Sequence, residues 1–208
     1  MADAGGDGGL AEGFAAPDFG AALRLDEELA ALPADETCKG FLCAGVIDLA
    51  RKLCPGKIEH VLEGLPARRF VPFREYPMRD HLRLLENAVG VLYPGLAVRE
   101  AMRRMGRLVQ PLLAESMVGT LVDGLVGADP DACLAATPRV YELTYRRGRI
   151  RLWRVGERHW RGRLDRVVMC DCYHVGVIEG ALRMHRVEAS VLVRAPGPST
   201  GELDITWP

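Results

Sequence analysis

The pattern of apolar positions divides the chain into two parts. From residue 39 to residue 126, apolar side chains recur at every third or fourth position, which is the period of an amphipathic helix. The cleanest stripe starts at Met78 and continues at intervals of four and three residues. Proline and glycine pairs interrupt the pattern and mark the ends of helices. The predicted helices cover residues 21–32, 39–53, 58–65, 78–92 and 96–126.

After Pro138 the helical period gives way to alternation of apolar and polar residues. Tyr141, Leu143 and Tyr145 form the first alternating run, and a second run follows a tight turn at Gly148. These two runs predict a β-hairpin. A helix that carries Val175, Ile178 and Leu182 on one face, and further strands over residues 161–169, 187–193 and 203–207, complete the prediction.

This order of elements indicates an α+β fold. Helices come first and are followed by the order β-β-β-α-β-β, so we expect N-terminal helices packed on one face of a C-terminal antiparallel sheet. Residues 1–37 are rich in glycine and acidic residues and bury little apolar surface, so they predict a flexible acidic leader with one short helix. Residues 38–208 then form a single domain.

Composition argues against several classes of protein. The formal net charge is −1, so no overall field attracts nucleic acid or a membrane surface. No apolar run reaches 18 residues, and the N-terminus lacks the basic and apolar regions of a signal peptide. We therefore expect a cytoplasmic protein without a membrane partner, in which the six cysteines are reduced thiols.

Cys170, Cys172 and His174 stand close together at the start of the last predicted helix. The spacing C-x-C-x-H departs from that of zinc sites, so we predict no metal. If Asp171 caps the helix, its positive end favours a thiolate at Cys172, and a redox sensor that uses Cys172 and Cys170 is one alternative function. The simpler interpretation is that both cysteines pack as small hydrophobic residues.

Arginine is concentrated in residues 139–166, where ten arginines stand against three acids, with tyrosine and tryptophan among them. A basic sheet with aromatic residues can bind single-stranded nucleic acid, which gives a second alternative function. The sequence signature of RNA-binding sheets is missing, so we do not favour a nucleic-acid partner. Residues 1–36 carry nine acids and one base, and we hypothesise that this leader lies on the arginine-rich surface.

Several segments resemble a myxobacterial paralogous family of unknown function. They are MGRLVQPLLAESMVG, TPRVYELTYRRG, HVGVIEGALR and LDITW, and the resemblance spans Lys39 to Trp207. More distantly, the order of elements is similar to the heme-NO-binding, vinyl-reductase-like and Golgi-transport ligand-binding group. That resemblance implies a module that binds a ligand or a partner, with a pocket between helices and sheet and with pairing of two copies through helices.

The heme-binding members of that group need a proximal histidine between the long helix and the sheet. The stretch from Leu82 to Arg158 holds no histidine. Their Y-x-S-x-R triad is also missing, and Tyr145-Arg146-Arg147-Gly148 is only a faint echo of it. Because heme requires an axial ligand, we expect no heme, and we predict no other cofactor.

The sequence therefore predicts a non-catalytic regulatory module that binds a small apolar molecule or a protein partner. The motifs of serine hydrolases, zinc proteases and P-loop enzymes are absent, so we do not expect an enzyme. A homodimer is consistent with the resemblance. The predicted pocket is lined by Met105, Val109, Leu112, Leu113, Tyr141 and Trp153.

Overall fold

A computed structural model describes residues 13–114 and 129–208 of the chain. Among these residues, no helix is long and apolar enough to cross a bilayer. The elements are α1 (Leu25–Ala31), β1 (Thr37–Lys39), α2 (Gly40–Leu53), a 3-10 turn (Pro55–Lys57), α3 (Ile58–Val61), β2 (Glu75–Pro77), α4 (Met78–Leu92), α5 (Val98–Ala114), α6 (Pro130–Thr144), β3 (Arg149–Gly156), β4 (His159–Asp165), α7 (Tyr173–Arg183), β5 (Ser190–Gly197) and β6 (Thr200–Thr206).

The C-terminal sheet has four antiparallel strands in the order β3-β4-β6-β5. Helices precede it, so the predicted α+β class is confirmed. Within the described residues the C-terminal order is β-β-α-β-β, which corrects the predicted β-β-β-α-β-β by one strand. A second, two-stranded sheet of β1 and β2 was not predicted, because each strand has only three residues and no visible alternation.

The strand predicted over residues 141–145 is instead the last turn of α6. Tyr141 and Tyr145 are four residues apart and lie on the same side of that turn, with ring centroids 5.3 Å apart. Leu143 is 50% exposed on the other side. The hairpin is formed by β3 and β4, and its turn contains Arg158 at a φ of 53°.

Two clusters of buried apolar side chains meet at α7. One contains α2, α4 and α5, and it includes Tyr173 and Val177 of α7. The other contains the inner face of the sheet and α6, and it includes Val175, Ile178 and Leu182 of α7. The helices that cover the sheet directly are therefore α6 and α7, and the earlier helices pack on the opposite side of α7.

Glycines bring the backbones of α5 and α7 into direct contact. A Cβ atom added at Gly176 would lie 2.0 Å from the carbonyl oxygen of Arg103, and one added at Gly106 would lie 2.1 Å from the carbonyl oxygen of Tyr173. Because real Cβ atoms do not approach backbone this closely, only glycine permits this helix spacing. Gly180 makes the same kind of approach to Arg107 one turn further along α7.

A buried carboxylate connects the same two helices. Glu179 of α7 accepts hydrogen bonds from Arg103 Nη2 at 2.5 Å and from Arg107 Nε at 2.7 Å, and its side chain is only 7% exposed. Charge-assisted hydrogen bonds from two guanidinium groups to one shielded carboxylate stabilise the helix pair more than an exposed ion pair would.

Replacing Glu179 with glutamine is expected to lower the free energy of unfolding by about 2 kcal/mol, because both guanidinium groups lose a charged acceptor in a shielded site. Urea unfolding measures the change. The matched control is Glu188→Gln, since Glu188 pairs with Arg183 at 2.8 Å but is 75% exposed. The control is expected to change stability by less than about 0.5 kcal/mol. Equal effects of the two variants would contradict the role assigned to Glu179.

The end of the predicted leader contributes to the domain. Ala15 pairs with Val193 of β5 through backbone hydrogen bonds of 3.2 and 2.9 Å. Leu25 and Leu32 are buried in the cluster formed by the N-terminal helices. Residues 1–12 lie outside the described part of the chain.

Two acids of the leader contact the start of the arginine-rich segment. Asp35 forms an ion pair with Arg147. Glu36 is buried, and its Oε1 accepts a hydrogen bond from the backbone N–H of Arg147 at 3.0 Å. Asp18 and Phe19 of the leader contact Arg99 and Arg103 of α5 instead, so the hypothesis that the leader lies on the arginine-rich surface stays a prediction.

Candidate functional site

The candidate site lies in the interior, where α2, α5, α6 and α7 meet. A cavity of about 20 Å³ is found there. A second cavity, of about 10 Å³, lies next to α4, and both cavities have Tyr145 and Tyr173 in their walls. The first is called the tyrosine cavity here, and it is lined by Leu42, Val109, Val140, Tyr141, Thr144, Tyr145, Tyr173 and Val177.

The structure brings together two of the residues predicted to line a pocket. Val109 and Tyr141 both lie in the wall of the tyrosine cavity. Met105 is fully buried in the N-terminal cluster, and Trp153 is 42% exposed on β3. The side chains of Leu112 and Leu113 lie outside the described part of the structure. A ligand-binding role for these residues stays a prediction.

Cys170 and Cys172 are both buried, as the simpler interpretation of the sequence expects. The Sγ of Cys170 donates to the carbonyl oxygen of Val167 at 2.8 Å. Burial raises the pKa of Cys172 to about 11, although the positive charge of Arg99 acts in the opposite direction. The thiolate expected at Cys172 is therefore disfavoured by desolvation.

The predicted cap of α7 also differs in the structure. Cys172 occupies the N-cap position, and no side chain accepts a hydrogen bond there. Asp171 forms an ion pair with Arg99 of α5 instead. The reason is that the carboxylate gains a charged partner on the neighbouring helix. A charge-assisted hydrogen bond to that partner is stronger than one to a single backbone N–H.

His174 is held neutral beneath the tyrosine cavity. Burial, together with the nearby charge of His81, lowers its pKa to about 3. Burial raises the pKa of Tyr141, so its hydroxyl stays protonated, and it is hydrogen-bonded to His174 Nδ1 with an O–N distance of 2.5 Å. The pair positions one wall of the cavity rather than presenting a free base to it.

A third group of side chains lies near the second cavity and was missed in the sequence. Cys38 of β1, Cys43 of α2 and His81 of α4 are called the thiol–imidazole cluster here. Their potential ligand atoms all lie within 4.8 Å of one another, and each residue is at most 1% exposed. The Sγ atom of Cys43 lies 3.7 Å from Nδ1 of His81.

Local structure explains how this cluster assembles. The strand β1 pairs with β2, which places Cys38 opposite Tyr76, and each strand leads straight into a helix. The helix α2 starts at Gly40, where an added Cβ would lie 2.2 Å from the carbonyl oxygen of Val71. The tight junction therefore brings Cys43, in the first turns of α2, against His81 in the first turns of α4.

The two thiols of the cluster differ in acidity. Donation of a hydrogen bond from Cys38, and the nearby imidazole of His81, lower the pKa of Cys43 to about 6 even though burial opposes this. The pKa of Cys38 is raised, because its proton is held by Cys43 and because it is buried. Of the two thiols, Cys43 is therefore the one that loses its proton more readily.

The model of a family described as "Protein of unknown function (DUF2378)" matches residues 34–208. A search of curated proteins finds no match. Solved structures of H-NOX proteins share the fold. A T. tengcongensis H-NOX variant is 19% identical, with a TM-score of 0.63, over 81% of this chain and 97% of that one. An S. oneidensis H-NOX protein in the Fe(II)NO ligation state is 15% identical, with a TM-score of 0.65, over 82% and 99%.

These comparisons confirm the resemblance seen in the sequence. The K. algicida H-NOX protein, which is 12% identical with a TM-score of 0.63 over 82% of this chain and 96% of that one, adds a third neighbour with the same architecture. At identities this low the likeness shows the fold alone. It does not transfer the heme of those proteins to this chain.

The residues around the tyrosine cavity do not fit a heme. A cavity of about 20 Å³ is far smaller than the roughly 300 Å³ or more of a cofactor pocket. Its described lining holds no imidazole or thiol that could serve as an axial ligand. Burial raises the pKa of each lining tyrosine, Tyr141, Tyr145 and Tyr173, so none offers a phenolate.

Proposed function

Since the matched residues make up most of this chain, it belongs to the DUF2378 family, and on that premise we propose that it is a non-catalytic regulatory module that binds a small apolar molecule in its interior. One protein of the same fold is an H-NOX protein in the Fe(II)NO ligation state, and this likeness supports the proposal of a module that binds a small ligand. The tyrosine cavity is the observation that carries the proposal.

The chemistry of the cavity favours an apolar ligand. Its walls are mostly aliphatic and aromatic, and its few polar groups are the hydroxyls of Thr144 and the tyrosines. The hydroxyl of Thr144 already donates to the carbonyl oxygen of Val140 at 2.6 Å, and that of Tyr141 is taken by His174. Apolar walls with a few placed polar groups are typical of small-molecule sites.

Because the cavity is small, we expect a ligand to bind only when the surrounding side chains change conformation. A cavity of about 20 Å³ holds little more than one water-sized molecule. Tyr145 and Tyr173 separate it from the second cavity, so displacement of their rings would join the two spaces. Tyr173 is the first residue of α7. A ligand that moved Tyr173 would therefore also displace the start of α7, the helix that contacts both buried clusters. This coupling supports a regulatory role.

The two alternative functions have less support. A redox sensor at Cys172 needs an accessible thiolate, whereas this thiol is buried and its pKa is raised. A nucleic-acid surface needs free guanidinium groups, whereas Arg154 and Arg163 pair with acids of the same chain. Trp160 is buried and donates to Asp131 at 2.6 Å, so it is not available for stacking on a base.

Native mass spectrometry of the purified chain, followed by denaturation of the same sample, tests the proposal. We expect a mass excess that disappears on denaturation, and its value identifies the class of ligand. The same spectrum distinguishes a monomer from the homodimer implied by the family resemblance. A clean apo mass would shift the assignment to a module that binds a protein partner.

Replacing Val109 with phenylalanine is expected to lower the ligand-bound fraction in that spectrum at least tenfold, because the larger side chain fills the tyrosine cavity. The matched control is Val98→Phe, on the same helix but with an exposed side chain. Both variants are checked for folding by circular dichroism. Equal ligand occupancy in Val109→Phe and in the control would place the ligand elsewhere.

A further inference from the structure

We propose that Cys38, Cys43 and His81 form a binding site for one thiophilic metal ion of the Cu(I) class. The site is separate from the tyrosine cavity and does not rest on the function proposed for it. It lies where β1, α2 and α4 meet. Cys38 and Cys43 are close together in the sequence, and His81 follows Cys43 by 38 positions.

The distances suit a metal of low coordination number. Metal–sulfur bonds of about 2.3 Å and metal–imidazole bonds of about 2.0 Å place the ligand atoms of a trigonal site roughly 3.8 to 4.0 Å apart. Cys43 Sγ and His81 Nδ1 are already 3.7 Å apart. All three ligand atoms lie within 4.8 Å of one another, so the remaining pairs need to close by less than about 1 Å.

The donor set selects a soft ion. Two sulfur atoms and one imidazole, without a carboxylate, favour Cu(I) or Zn²⁺ over hard cations. Structural zinc is almost always bound by four ligands, and the cluster found among the described residues offers three. With each residue at most 1% exposed, water does not readily complete a tetrahedron. Three soft ligands in a dry site therefore favour Cu(I).

The imidazole of His81 is available as a ligand through its Nδ1 atom. That atom contacts Cys43 Sγ at 3.7 Å. Hydrogen bonds to sulfur are weak, so a metal bond to Nδ1 replaces a weak contact with a stronger one.

A surface cleft lies next to the cluster. The cleft has a volume of about 210 Å³, and Cys38 forms part of its wall. Its charged lining is balanced, because Lys39 and Arg146 accompany Glu75 and Glu142.

Anaerobic titration of the reduced protein with Cu(I), in competition with bicinchoninate, tests the proposal. We expect one Cu(I) per chain at the cluster and a thiolate-to-Cu(I) absorption band in the ultraviolet. Cys38→Ser and Cys43→Ser are each expected to lower the affinity for Cu(I) at least hundredfold. The control is Cys133→Ser, which removes a buried thiol of α6 far outside the cluster and is expected to leave the affinity unchanged.

X-ray absorption of the copper-loaded wild-type chain keeps the test valid if a serine variant fails to fold. We expect two sulfur neighbours and one nitrogen neighbour around copper. Unchanged affinity in Cys43→Ser, a copper shell without sulfur, or the absence of binding would overturn the proposal. A parallel titration with Zn²⁺ that showed four-coordinate zinc and no competition by Cu(I) would overturn the assignment to the Cu(I) class.

Discussion

Replacing Gly176 with alanine is expected to lower the free energy of unfolding by about 3 kcal/mol or more, which is at the upper end of overpacking effects. The added Cβ would lie 2.0 Å from the carbonyl oxygen of Arg103, and the obstructing atoms are backbone that cannot rotate away. The helices α5 and α7 must therefore separate, which weakens the contacts of Glu179 as well. Urea unfolding followed by far-ultraviolet circular dichroism measures the loss.

The matched control for Gly176 is Gly90→Ala on α4. An added Cβ at Gly90 meets no atom within 4 Å, so this substitution replaces a poor helix former without a clash. We expect it to raise stability by about 0.5 to 1 kcal/mol. If Gly176→Ala were as stable as Gly90→Ala, the close contact between α5 and α7 would be wrong.

Acidification is expected to destabilise the fold through His174. Burial lowers the pKa of this histidine to about 3 in the folded chain, below the value of 6.5 for an unperturbed side chain. Below pH 6.5 the unfolded chain therefore binds a proton that the folded chain does not. The free energy of unfolding should fall by up to about 1.4 kcal/mol for each pH unit between 6.5 and 3, and this contribution is fully present above pH 6.5.

The contribution of His174 is isolated by comparing how steeply the free energy of unfolding changes with pH in the wild type and in a variant, rather than by comparing their stabilities at one pH. Urea unfolding between pH 7 and pH 4.5 should show a weaker pH dependence in His174→Gln than in the wild type. The control is His60→Gln, since His60 is exposed on α3. A parallel pH dependence in the wild type and in His174→Gln would show that His174 is not buried in its neutral form.

The helices with one apolar stripe were predictable from the sequence. In α4, Met78, Leu82, Leu85 and Val89 are all buried, as their spacing predicts. The period identifies such a helix because a single face contacts the rest of the protein. The α+β class followed from the order of helical and alternating segments. That order stays the same even when the predicted ends of the elements are wrong by a few residues.

The region around Pro138 shows why α6 was not predicted. Proline normally terminates a helix, yet Pro138 lies inside α6. Buried Leu134 and Tyr141 pack on either side of it against the sheet cluster, and their packing offsets the missing hydrogen bond. The alternating run that follows resembles a strand because of the spacing between Tyr141 and Tyr145. A separation of four residues puts two side chains on the same face both of a strand and of a helix.

The thiol–imidazole cluster could not be predicted from local sequence. Cys43 and His81 are 38 residues apart and belong to different helices. The spacing Cys38-x₄-Cys43 falls within the C-x₂₋₄-C range of metal ligands, but one pair of cysteines without a second pair of ligands nearby in the sequence is a weak signal. A second sign is that His81 adjoins Leu82 on the apolar stripe of α4, where a polar side chain needs a partner. Only the pairing of β1 with β2 reveals that partner.

The position of α7 between the two buried clusters has a consequence for cooperativity. Because its two faces belong to different clusters, neither half of the described chain can open while α7 keeps its place. The backbone amides of α7 should therefore exchange with solvent only through global unfolding, whereas the edges of the molecule exchange through local opening. A ligand that binds residues on one side of α7 is therefore expected to stabilise the residues on the other side as well, because the two halves unfold together.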